Sequence, residues 1–115
     1  MKDELRAVLD VLDSMSIRYR WHSWLNTPNA HMFATYFVPQ TRYDGSDERA
    51  EYYDYTAVVT LWYRDQMDSA DFSAEDAFEQ AVRGAARFTK SCGYDSEHML
   101  FYSQYTFQFK EFFKR

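Results

Sequence analysis

Two long runs of period-two alternation constrain this chain more than anything else in it. Between Glu51 and Arg64, the residues Tyr53, Tyr55, Ala57, Val59, Leu61 and Tyr63 alternate with Tyr52, Asp54, Thr56, Val58, Thr60 and Trp62. Between Met99 and Phe113, the residues Phe101, Ser103, Tyr105, Phe107 and Phe109 alternate with Tyr102, Gln104, Thr106, Gln108 and Lys110. Successive side chains of a strand point to opposite sheet faces, so each run predicts a long strand with one strongly apolar face. In the first run the second face also turns apolar, at Val58 and Trp62. That face is therefore expected to meet something as well, either a helix of the same chain or a neighbouring subunit.

The remaining segments group around these strands. Residues 2–15 place Leu5, Val8, Leu9, Leu12 and Met15 at helical spacing. "IRYRWHSW" (17–24) alternates, with Ile17, Tyr19 and Trp21 against Arg18, Arg20 and His22, and predicts a strand. "LNTPNA" (25–30) has a turn composition. "HMFATYFV" (31–38) predicts a second strand, antiparallel to the first because the connection is short. Pro39 is expected to end it, since proline cannot donate to a ladder. Residues 40–50 read as a loop, turned at Gly45 and kept in water by Asp44, Asp47 and Glu48.

"DQMDSADFS" (65–73) reads as an acidic loop ending in the N-cap Ser73, with Asp76 closing a capping box and Glu75 complementing the helix dipole. Phe78, Ala81, Val82, Ala85 and Phe88 make the stripe of a second helix, and Gly93 is its expected C-terminal stop. The expected fold is a single α+β domain over residues 1–115, in the order α-β-β-β-α-β. Its sheet would be antiparallel and four-stranded with two helices packed on one face.

Composition decides between broad functions. Aromatic residues make up 20% of the chain against only three glycines, which favours flat side chains on sheets over a glycine-rich cofactor loop. The net charge of −5 disfavours a protein that grips nucleic acid, because phosphate neutralisation needs clustered basic groups. One cysteine, Cys92, excludes an internal disulfide. The acidic N-terminal segment does not read as a signal peptide, and no run reaches the roughly 20 apolar residues that span a bilayer. A soluble, non-exported domain is expected.

Reactive constellations are scarce. His22, His31 and His98 form no short-range pair with one another or with Cys92 at metal-ligand spacing, and read as surface or strand-end residues. A nucleophilic Cys92 would need a partner base that spacing does not supply. Asp65, Asp68, Asp71, Glu75 and Asp76 are dense enough to suggest calcium. However, a loop starting at Asp65 would place Met67, Ser69 and Ala70 at its third, fifth and sixth positions, where oxygen ligands and glycine are needed. Glycine-rich nucleotide motifs and the G-x-S-x-G elbow are absent. Base stacking on the aromatic strands, with Arg18 and Arg20 beside Trp24, is the best case for single-stranded nucleic acid, but it lacks net positive charge. Tyr, Trp and Phe are the residues enriched where proteins meet, so aromatic surface without reactive groups favours an assembly protein.

In this order the segments resemble the small tail-terminator, or tail-completion, proteins of long-tailed bacteriophages and prophages. The resemblance covers nearly the whole chain. It rests on the amphipathic first helix, "TYFVP", "RYDGSDER", "YTAVVTLWY", "FSAEDAFEQAV" and "FYSQYTFQF". It implies a structural virion protein that forms a ring, usually hexameric, on the completed tail tube and joins tail to head. Partners would be copies of itself, the tail tube protein and a head–tail connector protein. DNA would pass the ring without specific binding, with no membrane, catalysis, metal or cofactor involved. Localisation would be the virion tail or neck, after assembly in the host bacterial cytoplasm. Subunit contacts are expected at the sheet edges and over residues 40–50, with Arg42, Tyr43, Asp44, Asp47, Tyr52 and Trp62 as candidate interface residues. The alternative is a small cellular protein–protein interaction module without catalysis.

Overall fold

The first helix shows how local sequence sets the fold. Residues 3–21, 32–46, 49–64, 69–83 and 87–112 are described by a computed structural model, with backbone alone at 40–46, 49–53, 69–73 and 110–112. Helix α1 (Asp3–Ser14) carries Asp3 and Glu4 in its first turn, where negative charge faces the positive end of the helix dipole. One of its otherwise orphaned N–H groups, that of Leu5, donates to the Tyr55 hydroxyl at 3.3 Å. The helix ends in a Schellman arrangement, with the Ile17 N–H donating to the Leu12 carbonyl at 2.9 Å and the Ser16 N–H to the Asp13 carbonyl at 3.1 Å. This needs Ser16 in the left-handed region, at φ 60°. It also carries Ile17 back over Leu12, and both are buried in the core. Leu5, Val8, Leu9 and Leu12 are all buried, each contributing about 2 kcal/mol of apolar transfer.

The strands are β1 (Tyr19–Trp21), β2 (Met32–Ser46), β3 (Arg49–Tyr63), β4 (Phe88–Asp95) and β5 (Leu100–Phe112), with helix α2 (Ser69–Arg83) between β3 and β4. They form one five-stranded sheet in the order β1-β2-β3-β5-β4. The expected four-stranded antiparallel sheet is thus corrected to a five-stranded mixed one. The first correction concerns orientation, because β1 runs parallel to β2, pairing Tyr19, Arg20 and Trp21 with Ala34, Thr35 and Tyr36. A period-two pattern shows which face a residue takes, but carries no information about strand direction.

The second correction is an additional strand. Phe88 does not continue the stripe of α2 but opens β4, and Gly93 lies inside that strand rather than stopping a helix. A Cβ at Gly93 would come within 2.5 Å of the Tyr102 hydroxyl, so the glycine lets that ring lie across the strand. The third concerns residues 40–50. Pro39 does not end β2; the register shifts between Phe37 and Gln40, and pairing with β3 then resumes to Ser46 and Arg49. A bulge absorbs the proline. The start of α2 at Ser69 likewise precedes the expected cap at Ser73.

Both helices cover the same side of the sheet. Leu5, Val8, Leu9 and Leu12 of α1 and Phe78 and Val82 of α2 share one core cluster with Tyr55, Ala57, Val59, Leu61 and Tyr63 of β3 and with Tyr105, Phe107 and Phe109 of β5. The two alternating runs therefore bury the faces assigned to them, and their register aligns Val59 with Tyr105, Ala57 with Phe107 and Tyr55 with Phe109. A 15-residue strand at about 3.3 Å per residue spans about 50 Å, and the molecule measures 51 × 28 × 21 Å. The β2–β3 hairpin sets its long axis.

Candidate functional site

The sheet face away from the helices carries an aromatic shelf. Register places Phe33, Trp62, Tyr102 and Gly93 side by side across β2, β3, β5 and β4. The Trp62 and Tyr102 ring centroids are 5.5 Å apart at an interplanar angle of 53°. The Arg64 guanidinium sits 5.9 Å from the centroid of Phe33. Trp62 Nε1 donates to Thr35 Oγ1 at 3.0 Å, which fixes the indole along the sheet. Beside this row runs a polar one, Thr35, Thr60, Gln104 and Ser91. Trp62 and Tyr102 are half-buried, while Phe33, Val58 and Thr60 between and beside them are buried. The large side chains shade their smaller neighbours, and no helix among the described residues lies on this face.

The borders of the sheet are unlike each other. Strand β1 pairs with β2, among the described residues, at Ala34, Thr35 and Tyr36. Among the described residues, no strand pairs with the outer edge of β2 from Gln40 to Ser46, and none with the outer edge of β4. Each such edge is a row of backbone donors and acceptors available for pairing. The large apolar side chains that stay exposed among the described residues also lie at the borders: Trp21 on β1, Tyr94 on β4, and Met99 in the turn after it. Trp21 rests edge-on against Tyr36 at 5.4 Å.

A cluster of titratable side chains lies between α2 and the β4–β5 pair. Glu75, expected from the sequence to complement the helix dipole, is only 2% exposed. Because α2 starts at Ser69, Glu75 falls on the inward stripe with Phe78 and Val82, and it forms an ion pair with Lys90 of β4. Lys90 Nζ also donates to Glu79 Oε2 at 2.8 Å, and the Tyr105 hydroxyl donates to the same oxygen at 2.9 Å. The Tyr63 hydroxyl donates to Glu75 Oε2 at 3.2 Å and lies 2.5 Å from Ser103 Oγ, which is 3.5 Å from Cys92 Sγ. Burial first, and then the Glu79 carboxylate, push the Tyr105 hydroxyl well above the ordinary tyrosine range. Among the described residues every buried side-chain nitrogen and oxygen has a hydrogen-bond partner. The groups answer one another, so the cluster works as a clamp between α2 and the sheet.

His98 sits in the β4–β5 turn with its Nδ1 3.0 Å from Asp95 Oδ2, while Asp95 Oδ1 accepts the backbone N–H groups of Glu97 and His98 at 3.0 and 3.3 Å. The His98 hydrogen bond holds Asp95 below the usual carboxylate range, and Asp95 raises His98 above 6.5. Asp95, Glu97 and His98 could converge on a cation, but the two backbone bonds already give Asp95 a role in shaping the turn.

The structure brings part of the expected interface set together. Arg42, Tyr43 and Asp44 lie on β2, paired in register with Asp54, Tyr53 and Tyr52, on the hairpin rather than in a loop. Trp62 lies on the shelf. Asp47, His22, His31, Asp65 and Asp68 fall outside the described residues. No helix among the described residues is long and apolar enough to cross a membrane. No protein-family model matches the chain, and no curated protein sequence matches it.

Proposed function

We propose that this chain is a structural assembly subunit that forms a closed ring through protein–protein contacts, of the kind implied by its resemblance to phage tail terminators. In that role it would cap the tail tube, bind the tube protein on one side and present a docking surface to the head connector on the other. The observation that carries the reading is the pairing, among the described residues, of an aromatic sheet face clear of helices with two unlike edges on which no strand lies. Aromatic anchors of this kind supply most of the energy at protein interfaces. Unlike edges make heterologous contacts, which form rings where the rotation from copy to copy closes. The titratable groups near the core support the same reading, since they are spent on one another. An acidic chain, at −5, would also let DNA pass a lumen by repelling its phosphates.

The test is direct imaging. Negative-stain electron microscopy of the purified chain, alone and mixed with tail tubes, is expected to show rings and rings seated on tube ends. Trp62→Ser should reduce ring abundance at least tenfold while leaving the far-ultraviolet circular dichroism unchanged. Particles that stay monomeric in both samples would overturn the reading and leave the small interaction module as the alternative.

A further inference from the structure

We propose that the turn between β4 and β5 binds a divalent transition-metal cation of the zinc class, held by Asp95, Glu97 and His98. The site goes beyond the assembly reading and stands whether or not the chain forms rings. One donor atom from each of the three side chains lies within 4.8 Å of the other two. Zinc takes imidazole and carboxylate ligands at about 2.0–2.2 Å, so two donors on one ion lie about 3–4 Å apart. Asp95 Oδ2 and His98 Nδ1, at 3.0 Å, have that spacing.

The turn divides the work of the Asp95 carboxylate between its two oxygens. Oδ1 accepts the N–H groups of Glu97 and His98, at 3.0 and 3.3 Å, and is spent on holding the turn. Oδ2 is left to face the imidazole. Hydrogen bonds behind a carboxylate are what fix a metal ligand in orientation. Glu97 then brings a second carboxylate to an imidazole that needs only one. Among the described residues, that carboxylate makes no hydrogen bond or ion pair of its own. Two carboxylates beside one imidazole give the turn an excess of negative charge, which a divalent ion neutralises. The donor set also selects the ion. An imidazole nitrogen disfavours magnesium and calcium, which take oxygen ligands, and the absence of sulfur from the set disfavours copper(I). Three protein ligands leave a fourth position to water.

Isothermal titration calorimetry of the untagged chain with zinc chloride, in a non-chelating buffer, tests the site, with NMR of the histidine rings read in parallel. The expected result is one zinc per chain, with the His98 ring signals fully shifted at one equivalent. Glu97 and His98 are both exposed, so Glu97→Gln and His98→Asn should keep the fold, as circular dichroism would verify. Loss of even an outer-shell partner costs about 10–100-fold in metal affinity, so each substitution should weaken zinc binding about tenfold or more. Magnesium or calcium at the same concentration should give neither heat nor shift. Zinc binding unchanged by both substitutions, or ring shifts confined to His22 and His31, would overturn the proposal and mark an adventitious ion only. Neither heat nor shift at millimolar zinc would overturn it as well. None of these outcomes decides whether rings form.

Discussion

Replacing Lys90 with methionine would leave the Glu75 carboxylate, 2% exposed, without its cation. Breaking a fully buried ion pair by removing one partner costs about 3–5 kcal/mol. Two features of this site set the figure toward the low end. Lys90 is 29% exposed, so water reaches the side from which its ammonium comes, and the Tyr63 hydroxyl still donates to Glu75. Glu79, the second acceptor of Lys90, is more exposed and keeps the Tyr105 hydroxyl. The expected loss is about 3 kcal/mol; with a urea slope of about 1.5 kcal/mol/M, the midpoint falls by about 2 M.

The double variant Glu75→Met with Lys90→Met removes both charges and fills the space with apolar atoms. It should recover to within about 1 kcal/mol of the parent, since a well-packed apolar replacement of a buried pair is often neutral. Urea unfolding followed by tryptophan fluorescence and by circular dichroism, at one pH and salt, gives all the stabilities. A Lys90→Met cost below about 0.5 kcal/mol, or a double variant worse than the single, would refute the clamp.

Three further outcomes follow from the same structure. Ser16→Gly should raise stability by about 0.5–1 kcal/mol, measured as a higher urea midpoint, because Ser16 holds a left-handed backbone that glycine adopts without strain. Tyr105→Phe should cost about 1–2 kcal/mol at neutral pH through the lost bond to Glu79. Because the folded Tyr105 ionises only above its unfolded value, the stability it confers is intact below about pH 10 and is lost above it, so the gap between parent and variant should close in alkaline urea titrations. Asp95→Asn should lower the His98 titration midpoint, read by NMR, toward 6.5, since the carboxylate is the main cause of its elevation.

Both long strands and the first helix were legible because their apolar spacing matches burial over many residues. Val59, Leu61, Tyr105 and Phe107 are buried on the faces the alternation assigned. Strand β4 was hidden by overlap of two periods. Phe88 follows Ala85 at helical spacing, yet Phe88, Lys90, Cys92 and Tyr94 also alternate with Thr89, Ser91, Gly93 and Asp95. A charged residue on the inner side of that pattern obscured it, since Lys90 faces inward only because Glu75 and Glu79 meet it there. The clamp is thus a tertiary fact, made by a helix stripe and a strand that no local window contains. Residues 40–50 were misread because Pro39, Gly45 and the acids give turn signals. The pairing that continues past them depends on β3 lying alongside. Of the candidate interface, the aromatic shelf was legible as a second apolar face at Val58 and Trp62. The unlike edges were not, because they depend on strand order.

The most direct measurement of the central claim is the mass of the assembled species by native mass spectrometry across a wide range of protein concentration. The account predicts a single closed oligomer of one fixed stoichiometry. A monomer at every concentration both alone and with tail tubes present, or an open series of ever larger species with no preferred size, would contradict it.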